Sequence, residues 1–251
     1  MPRGIKKFIY GIFYLGIMGG LLVMTWFYLQ PKPSCEDGIL NQNEEQIDCG
    51  GICISCEAKN FQLIIGSPQS LDAGEGKVTI VASIENTNQN YAVKGVRYLI
   101  NIKDKIGREL KTIEKDTNIS PTSIRYIIEP GLNFNYQDVG RIEIKILSEL
   151  DLVPIQEFFV YEIATRQLDL KSDEEKIIAE GIVSNMSGRD IESLKLIGLI
   201  KDDGGNLIRA GSTTISSLEA FKTSGYTIFI PSISGIPIEN LNLEIFWEVI
   251  S

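Results

Sequence analysis

The sequence predicts an all-β protein in which an N-terminal transmembrane helix and a small disulfide-rich module precede two tandem antiparallel β-sandwiches. Three observations support this prediction. A single long apolar segment lies near the N-terminus, all four cysteines fall within residues 35–56, and beyond residue 60 short apolar runs alternate with polar residues. These runs end at Gly, Asn, Asp or Pro, the residue types that terminate strands and form turns.

Composition limits the functions that the 251-residue chain can perform. It contains 24 Lys and Arg residues, 33 Asp and Glu residues and no His, and its formal net charge is −9. Without an imidazole the chain cannot form the catalytic triads, zinc sites or proton shuttles that depend on His. An acidic body also repels phosphate, so we expect no nucleic-acid partner.

The apolar segment at residues 8–29 contains no charged residue. As a helix it spans about 33 Å, against a hydrocarbon core of about 30 Å. Arg3, Lys6 and Lys7 precede it and only Lys32 follows it closely, so the positive-inside rule predicts a cytoplasmic N-terminus. The bulk of the chain is then extracytoplasmic, at the plasma membrane.

The aromatic residues of this segment suit an anchor in the lipid bilayer. The segment starts at Phe8, and Trp26 and Tyr28 fit the outer interfacial belt. A cleaved signal peptide is the alternative, but its apolar region measures about 7–15 residues and ends in a small-x-small site, which residues 28–31 lack. Lipoprotein-type acylation of Cys35 is a second alternative, for which the preceding residues match poorly. We therefore expect an uncleaved single-pass anchor.

The four cysteines, Cys35, Cys49, Cys53 and Cys56, are separated by 13, 3 and 2 residues. Outside a membrane the compartment is oxidising, and a stretch of about 22 residues has no core of its own to stabilise it. We expect two disulfides, with three pairings open. The alternatives are a [4Fe–4S] cluster, a zinc site or thiol exchange at Cys53 and Cys56, all of which require reduced thiols.

Acidic and amide side chains between the first two cysteines are candidate calcium ligands. Calcium prefers hard oxygen ligands, and Asp37, Asn41, Glu44 and Asp48 supply them within 12 residues. The alternative is that these groups cap turns in a solvated loop. The stretch resembles the C-x-D-G-x-x-N-x-x-E-x-x-x-D-C-G-G-x-C-x-x-C module of secreted and surface-anchored bacterial proteins, a resemblance that implies a compartment rather than an activity.

The remainder of the chain shows the period of two that is typical of half-buried strands. The predicted parts of the whole chain are a basic tail (1–7), the transmembrane helix (8–29), the Cys-rich module (30–59) and two sandwich domains (60–152 and 153–251). The predicted strands cover residues 61–65, 77–85, 95–103, 109–115, 123–129 and 141–147, then 158–168, 176–184, 193–201, 207–211, 223–230 and 241–249.

The two β-rich halves look like internal repeats. The sequence KVTIVASIENTNQN at 77–90 aligns with KIIAEGIVSNMSGR at 176–189, and VRYLINIKDKIGREL at 96–110 aligns with LKLIGLIKDDGGNLI at 194–208. In each copy an Asn ends one strand and an Asp-x-x-Gly turn closes the following hairpin. The aligned pairs are Asn86 with Asn185, Asp104 with Asp202, and Gly107 with Gly205.

This repeat resembles the FxLYD family of small immunoglobulin-like domains. Residues 176–231 match best, with Leu199-Ile200-Lys201-Asp202 at the place of the Leu-Tyr-Asp that names the family, and residues 77–130 match more loosely. The aromatic of the family signature is absent. The resemblance implies two immunoglobulin-like sandwiches that act as non-catalytic modules.

No catalytic constellation is recognisable, and the sequence identifies no small-molecule substrate. Phe246 and Trp247 are neighbours in a predicted strand, so one of them faces away from the core and is a candidate contact surface. We expect a non-catalytic surface interaction or spacer protein with a protein partner at the cell surface or envelope. The alternatives are a subunit of a larger envelope assembly and an envelope thiol-redox or metal-dependent enzyme.

Overall fold

The computed structural model describes residues 2–29, 34–173, 175–233 and 237–250. The chain divides into two compact units, Met1–Asn60 and Phe61–Ser251. The first unit holds an apolar helix and a small disulfide-linked module, and the second consists of antiparallel sheets. The predicted fold class, all-β sandwiches with an N-terminal apolar helix and a small disulfide module, is confirmed.

Helix α1 spans Arg3–Leu29 and has no buried side chain. It is the one helix among the described residues that is long and apolar enough to cross a membrane. The Thr25 hydroxyl donates to the carbonyl oxygen of Leu21, four residues earlier, at 2.9 Å, so this polar group is satisfied within the helix. The helix includes residues 3–7 of the predicted basic tail, while Lys32 lies outside the described residues.

The cysteine module is held together by two disulfides, Cys35–Cys53 and Cys49–Cys56. Of the three pairings that the sequence leaves open, this one closes loops with sequence separations of 18 and 7 residues. Cys49 is buried within the module, at 1% exposure. The short helix α2, Cys56–Lys59, follows, and its N-cap Ser55 accepts a hydrogen bond from the Ala58 N–H.

The first sandwich consists of two four-stranded sheets. In one sheet, the central strand β3 pairs with β6 on one side and with β1 and β2 on the other; in the second, β4 pairs with β5, β7 and β8. The strands are β1 (Ile64–Ile65), β2 (Gln69–Asp72), β3 (Val78–Asn86), β4 (Tyr91–Asp104), β5 (Glu109–Ile119), β6 (Ser123–Leu132), β7 (Val139–Ile146) and β8 (Asp151–Pro154).

The second sandwich repeats this plan with three strands in each sheet. The strand orders are β9-β10-β13 and β12-β11-β14, and all pairs are antiparallel. The central pairings β3–β6 and β4–β5 of the first sandwich therefore correspond to β10–β13 and β11–β12 of the second. The strands are β9 (Ile163–Ser172), β10 (Lys176–Asn185), β11 (Leu194–Lys201), β12 (Leu207–Ile215), β13 (Thr223–Pro231) and β14 (Asn242–Val249).

Each sandwich has its own apolar core, built mainly from Ile, Leu and Val. Strand β10 shows how the sequence produces it: every second side chain is buried, from Ile177 to Asn185, while those between are partly exposed. The first core centres on Ile80, Ile84, Ile100, Ile102 and Ile119. The second centres on Leu194, Leu196, Ile200, Ile228 and Ile230.

The aligned Asn residues of the repeat are both fully buried and hold equivalent loops. Asn86 donates to the carbonyl oxygens of Tyr91 (2.8 Å) and Ser120 (3.1 Å). The amide nitrogen of Asn185 lies 2.8 Å from the carbonyl oxygen of Arg189 and also contacts two carbonyls of the loop before β13. Each Asn thus satisfies backbone acceptors at the ends of strands and in the loops between them.

The aligned Asp and Gly residues form the two predicted hairpin turns. The Asp104 carboxylate accepts from the Arg108 N–H at 2.8 Å, and the Asp202 carboxylate accepts from the Asn206 N–H at 2.8 Å. Gly107 and Gly205 adopt φ of 86° and 80°, which an L side chain rarely tolerates. Hydrogen bonds from the side chain and then the backbone of Asn206 lower the pKa of Asp202.

Several sequence-based assignments differ from the structure; the strand predicted at 61–65, for example, is limited to Ile64–Ile65. Strands β2 and β8 were not predicted, because each has four residues and too few alternations to show a period. Strand β8 pairs with β4 and crosses the predicted boundary between residues 152 and 153. The strand predicted at 158–168 begins only at Ile163, since the preceding aromatic run is a connecting segment.

A third apolar cluster lies between the two sandwiches. It joins Leu71, Val81 and Ile128 of the first sandwich to Ile197, Leu199 and Ala210 of the second. Ile197 and Leu199 are each only 1% exposed. Burial of this extent is typical of a domain core, so the two sandwiches form one body rather than two loosely linked modules.

Candidate functional site

A cleft of about 400 Å³ opens where the two sandwiches meet. We call it the junction cleft. Three cations and four aromatic residues line it: Lys94, Arg125, Arg189, Phe158, Phe159, Tyr161 and Trp247. Its volume falls in the range of about 300–1,000 Å³ that is usual for small-molecule sites. The cleft combines charged and aromatic side chains in one lining.

The lining residues come from both sandwiches and from the segment between them. Lys94 lies on β4 and Arg125 on β6, whereas Trp247 lies on β14. Phe158 and Phe159 belong to the connection between β8 and β9, and Arg189 belongs to the loop between β10 and β11. The cleft therefore exists only when the two sandwiches are packed together.

Each cation of the cleft stands over an aromatic ring. The Arg189 guanidinium carbon lies 4.1 Å from the Phe159 ring centroid, and the Arg125 carbon lies 6.0 Å from that of Trp247. The Lys94 Nζ lies 6.0 Å from the Phe158 centroid. These distances are within the range of cation–π attraction, which orders the side chains without neutralising their charge.

Arg125 links the two sandwiches through their backbones. Its guanidinium donates to the carbonyl oxygen of Trp247 at 2.8 Å and to that of Asn118 at 3.0 Å. Its Nε is buried and has no hydrogen-bond partner among the described residues. Burial lowers the pKa of Arg125, an effect opposed by the negative charge of Glu248. An arginine still stays charged, so a half-buried positive charge without a direct carboxylate contact lines the cleft.

The loops that line the cleft are held by the repeated Asn residues described above. Asn86 binds the carbonyl of Ser120, which lines the cleft from the first sandwich. Asn185 binds the carbonyl of Arg189, which lines it from the second. The two buried amides therefore set the backbone positions on opposite sides of the cleft.

A polar cluster extends the contact between the sandwiches beside the cleft, around a second cavity of about 290 Å³. Thr117 donates to the Glu248 carboxylate at 2.6 Å, and the Lys195 Nζ lies 3.4 Å from the carbonyl oxygen of Ile128. Burial lowers the pKa of Lys195 and raises that of Tyr98. This cluster contains opposite charges in contact with one another, whereas the junction cleft carries an excess of positive charge.

In the cysteine module, the structure brings the four candidate calcium ligands into one hydrogen-bonded loop. The Asp37 carboxylate accepts from the Asn41 side-chain amide at 2.9 Å, and the Glu44 carboxylate accepts from the backbone N–H groups of Asn41 (3.2 Å) and Asp48 (3.1 Å). The Asp48 carboxylate accepts from the Gly38 N–H at 2.9 Å. The hydrogen bond from Asn41 is the main cause that lowers the pKa of Asp37.

These contacts are those of turn-capping residues, which is the alternative that the sequence left open for them. The oxygen atoms already accept N–H groups, and only the Asn41 side-chain oxygen is buried without a partner among the described residues. Glu44 also lies near Cys35 and Cys53, but both sulfur atoms are bonded to each other and offer no thiolate. Calcium binding stays a prediction.

The remaining candidate residues lie in two places. Phe8, Trp26 and Tyr28 are exposed along α1, as an anchor requires. Phe246 turns away from the core of its own sandwich and packs on Tyr126 of the first sandwich, with ring centroids 4.2 Å apart. Its contact is therefore made within the chain, whereas Trp247 packs on the second core and lines the junction cleft.

Sequence reasoning did not identify the cations of the cleft, because they are spread from residue 94 to residue 189 and form no motif. The signal that points to them is the aromatic run Phe158-Phe159-Val160-Tyr161 at the domain boundary. As part of a strand, this run is expected to be half-buried. Instead, the Phe159 ring packs edge-on against the Tyr161 ring, and the Arg189 guanidinium lies over the Phe159 ring.

Comparisons with known proteins identify no family. No protein-family model matches the chain, and no curated protein matches it. Among solved structures it is similar to red sea bream transglutaminase, with 12% identity and a TM-score of 0.26 over 75% of this chain and 29% of that one. It thus spans less than a third of that protein.

Two further solved structures are more distant. A cupin 2 conserved barrel domain protein from Leptotrichia buccalis shares 13% identity with a TM-score of 0.12, over 69% of this chain and 89% of that one. An oxalate decarboxylase shares 9% identity with a TM-score of 0.12, over 76% and 75% of the two chains. Similarity at this level carries no argument about function.

Proposed function

We propose that this protein is a non-catalytic, membrane-anchored interaction protein whose two sandwiches act together as one rigid extracytoplasmic binding body. The observation that carries this proposal is the junction cleft, whose lining residues come from both sandwiches and from the segment that joins them. A chain of independent spacer modules has no need for the apolar cluster between the sandwiches or for the Arg125 contacts across it. In this proposal, the partner binds at the junction cleft.

The location outside the cytoplasm rests on the first unit. Both disulfides use all four cysteines of the chain, and such pairs persist in oxidising compartments. The apolar helix α1 has the length of a membrane span, and Arg3, Lys6 and Lys7 at its start favour an N-terminus in the cytoplasm. We also propose that the repeated β unit is related to FxLYD-type immunoglobulin-like domains.

Site-specific photocrosslinking in intact host cells tests the interaction role. A photoreactive residue is placed at Gln156, an exposed residue of the cleft lining, and in a matched variant at Ile106, which is 75% exposed in the Asp104 hairpin. We expect a discrete adduct from position 156 and none from position 106. Adducts at both positions, or at neither, contradict binding of a protein partner at the junction cleft.

A thiol-redox or metal-dependent enzyme is the alternative in another functional class, and titration of thiols separates it from our proposal. We expect no reactive thiol in the native full-length protein and four after denaturation with a reductant, because all four cysteines are paired. A Cys53 thiol that appears under mild reduction without loss of structure would favour redox chemistry. Protease added to intact cells tests the orientation: it should digest the sandwiches.

A further inference from the structure

We propose that the junction cleft binds an acidic sugar of the uronic-acid type, with the carboxylate held by Arg189 close to the charge of Arg125 and the ring lying against the aromatic residues. This inference deepens the proposed interaction role and rests on it. It assigns a ligand chemistry to a site that neither the sequence motifs nor the comparisons identify.

Charge is the first argument. The chain carries a formal net charge of −9, yet the cleft is lined by three cations and, among its acidic neighbours, by Glu157 alone. None of Lys94, Arg125 and Arg189 forms an ion pair with a carboxylate among the described residues. Such a concentration of positive charge in an acidic protein attracts an anion.

The partial burial of the Arg125 charge also favours an anionic ligand. A charge removed from water is costly unless a counter-ion or hydrogen bonds compensate it. Two backbone carbonyls accept from the Arg125 guanidinium, but its Nε is buried and unpaired among the described residues. An anion in the cleft would supply the missing negative charge at short range.

Order is the third argument. Cation–π contacts hold Arg189 over Phe159 and Arg125 near Trp247, so little side-chain entropy is lost when a ligand arrives. A guanidinium stacked on a ring keeps its edge N–H groups available, and that edge matches the two oxygen atoms of a carboxylate. Arg189 is therefore arranged for a planar acid group, whereas Arg125, whose terminal nitrogens donate to backbone carbonyls, contributes positive charge nearby.

Size and composition favour a sugar ring over a bare anion. A cleft of about 400 Å³ is larger than an inorganic phosphate needs. Its aromatic residues offer apolar surface, which a phosphate has no apolar face to contact. The lining also includes Ser120 and Gln156, whose hydroxyl and amide groups suit ring hydroxyls. A uronic acid combines a carboxylate, several hydroxyls and apolar C–H faces in one molecule.

Tryptophan fluorescence of the full-length chain in detergent micelles tests this inference. The chain has two tryptophans, so Trp26→Phe leaves Trp247 of the cleft as the sole reporter. We expect D-glucuronate to change its emission saturably, with half-saturation below about 10 mM. Glucose, which has the same ring without the acid, and inorganic phosphate, an acid without the ring, should bind at least tenfold more weakly.

Arg189→Gln should weaken glucuronate binding by about tenfold or more, because it removes one charge-assisted contact. The Arg189 side chain is exposed, and only its backbone carbonyl is bound by Asn185, so this variant should unfold at the same urea concentration as the parent. The matched control is Arg97→Gln on β4, which lies outside the cleft lining and should leave binding unchanged.

Absence of a saturable response to glucuronate overturns this inference, as does an equal response to glucose or phosphate. The photocrosslinking experiment tells the two proposals apart. If position 156 yields its adduct while glucuronate fails to bind, the interaction role stands and the acidic sugar is wrong. If neither is observed, both proposals fall. If glucuronate binds and no adduct forms, the junction cleft binds a small acidic sugar and the protein-partner role fails.

Discussion

At the scale of single residues, the most informative side chain is a buried asparagine that occurs once in each sandwich. Asn86 and Asn185 are both 0% exposed, and each bonds to backbone groups of loops that end at the junction cleft. A strand end leaves carbonyls and amides without ladder partners, and a side-chain amide offers both donors and an acceptor. The same residue in both copies therefore forms the hydrogen bonds that the strand ends leave open.

We expect Asn185→Ala to lower the free energy of unfolding by about 3 kcal/mol. The substitution leaves the Arg189, Leu218 and Glu219 carbonyls and the Ser187 N–H without their side-chain partner in a buried loop. Urea unfolding of the full-length protein in detergent measures the change. Asn242→Ala, at an exposed position in β14, is the matched control and should alter stability by less than about 0.5 kcal/mol.

The Asn185 variant also connects stability with the cleft. Because Asn185 holds the Arg189 carbonyl, its loss should loosen the loop that carries the guanidinium over Phe159. An equal loss of stability in Asn185→Ala and Asn242→Ala would show that the buried hydrogen bonds of Asn185 make no net contribution to the free energy of unfolding.

At the scale of the elements, close approach of neighbouring strands restricts which residues fit. In β10, a Cβ added at Gly181 would lie 2.3 Å from the Tyr226 ring and 2.5 Å from the Arg166 carbonyl oxygen. The register of β10 against β9 shifts between Glu180 and Gly181, so this glycine sits at a bulge. The tyrosine occupies the space that a side chain would take.

We expect Gly181→Ala to cost about 2 kcal/mol or more, because the Tyr226 ring and the backbone of β9 must both move to admit a methyl group. Gly225→Ala, on the paired strand β13, is the matched control: a Cβ there meets only the Gly181 carbonyl oxygen at 3.9 Å. That substitution should be neutral or slightly stabilising. Thermal unfolding followed by circular dichroism compares them, and equal melting temperatures would contradict the packing argument.

The elements also show what a sequence pattern predicts well. Strands β3, β10 and β13 lie within one or two residues of their predicted ranges, because nine or ten residues give several alternations of buried and exposed side chains. Strands β2 and β8 have four residues each, and tertiary pairing with β3 and β4 defines them. The segment at residues 158–162 has strand-like composition, but its aromatic residues serve the cleft instead.

At the scale of the whole molecule, the decisive feature is the packing of one sandwich on the other. Phe246 of β14 faces away from its own core and meets Tyr126 of β6 within the third apolar cluster. Polar contacts from Arg125 and Thr117 complete the interface. The two repeats are therefore mechanically coupled, and the cleft between them has a defined shape.

We expect Phe246→Ala to lower stability by about 2 kcal/mol and to separate unfolding into two transitions, since it removes an aromatic contact that links the sandwiches. Phe229→Ala, at a 57% exposed position of β13, is the matched control and should unfold like the parent. With Trp26→Phe present in both variants, urea unfolding followed by Trp247 fluorescence and by circular dichroism distinguishes the two results. A single transition of unchanged midpoint in the Phe246 variant would show that the sandwiches do not stabilise each other.

The sequence by itself determined the parts whose signal is local. Helix α1 follows from an uncharged segment, the strands from alternation over neighbouring residues, and the repeat from two aligned Asn and Asp-x-x-Gly patterns. It also restricted the cysteine chemistry to one short module, with the number of disulfides but not their pairing. Each of these properties depends on residues close together in the chain.

Only the tertiary structure decided the cysteine pairing, the interface and the cleft. Periodicity tells which face of a strand is apolar, but it does not say whether the sandwich's own core or the neighbouring sandwich covers a given side chain, as Phe246 shows. The cleft joins Lys94, Arg125, Arg189 and Trp247, which lie far apart in the sequence. These side chains line one cleft only because burial of apolar surface brings the two sandwiches together.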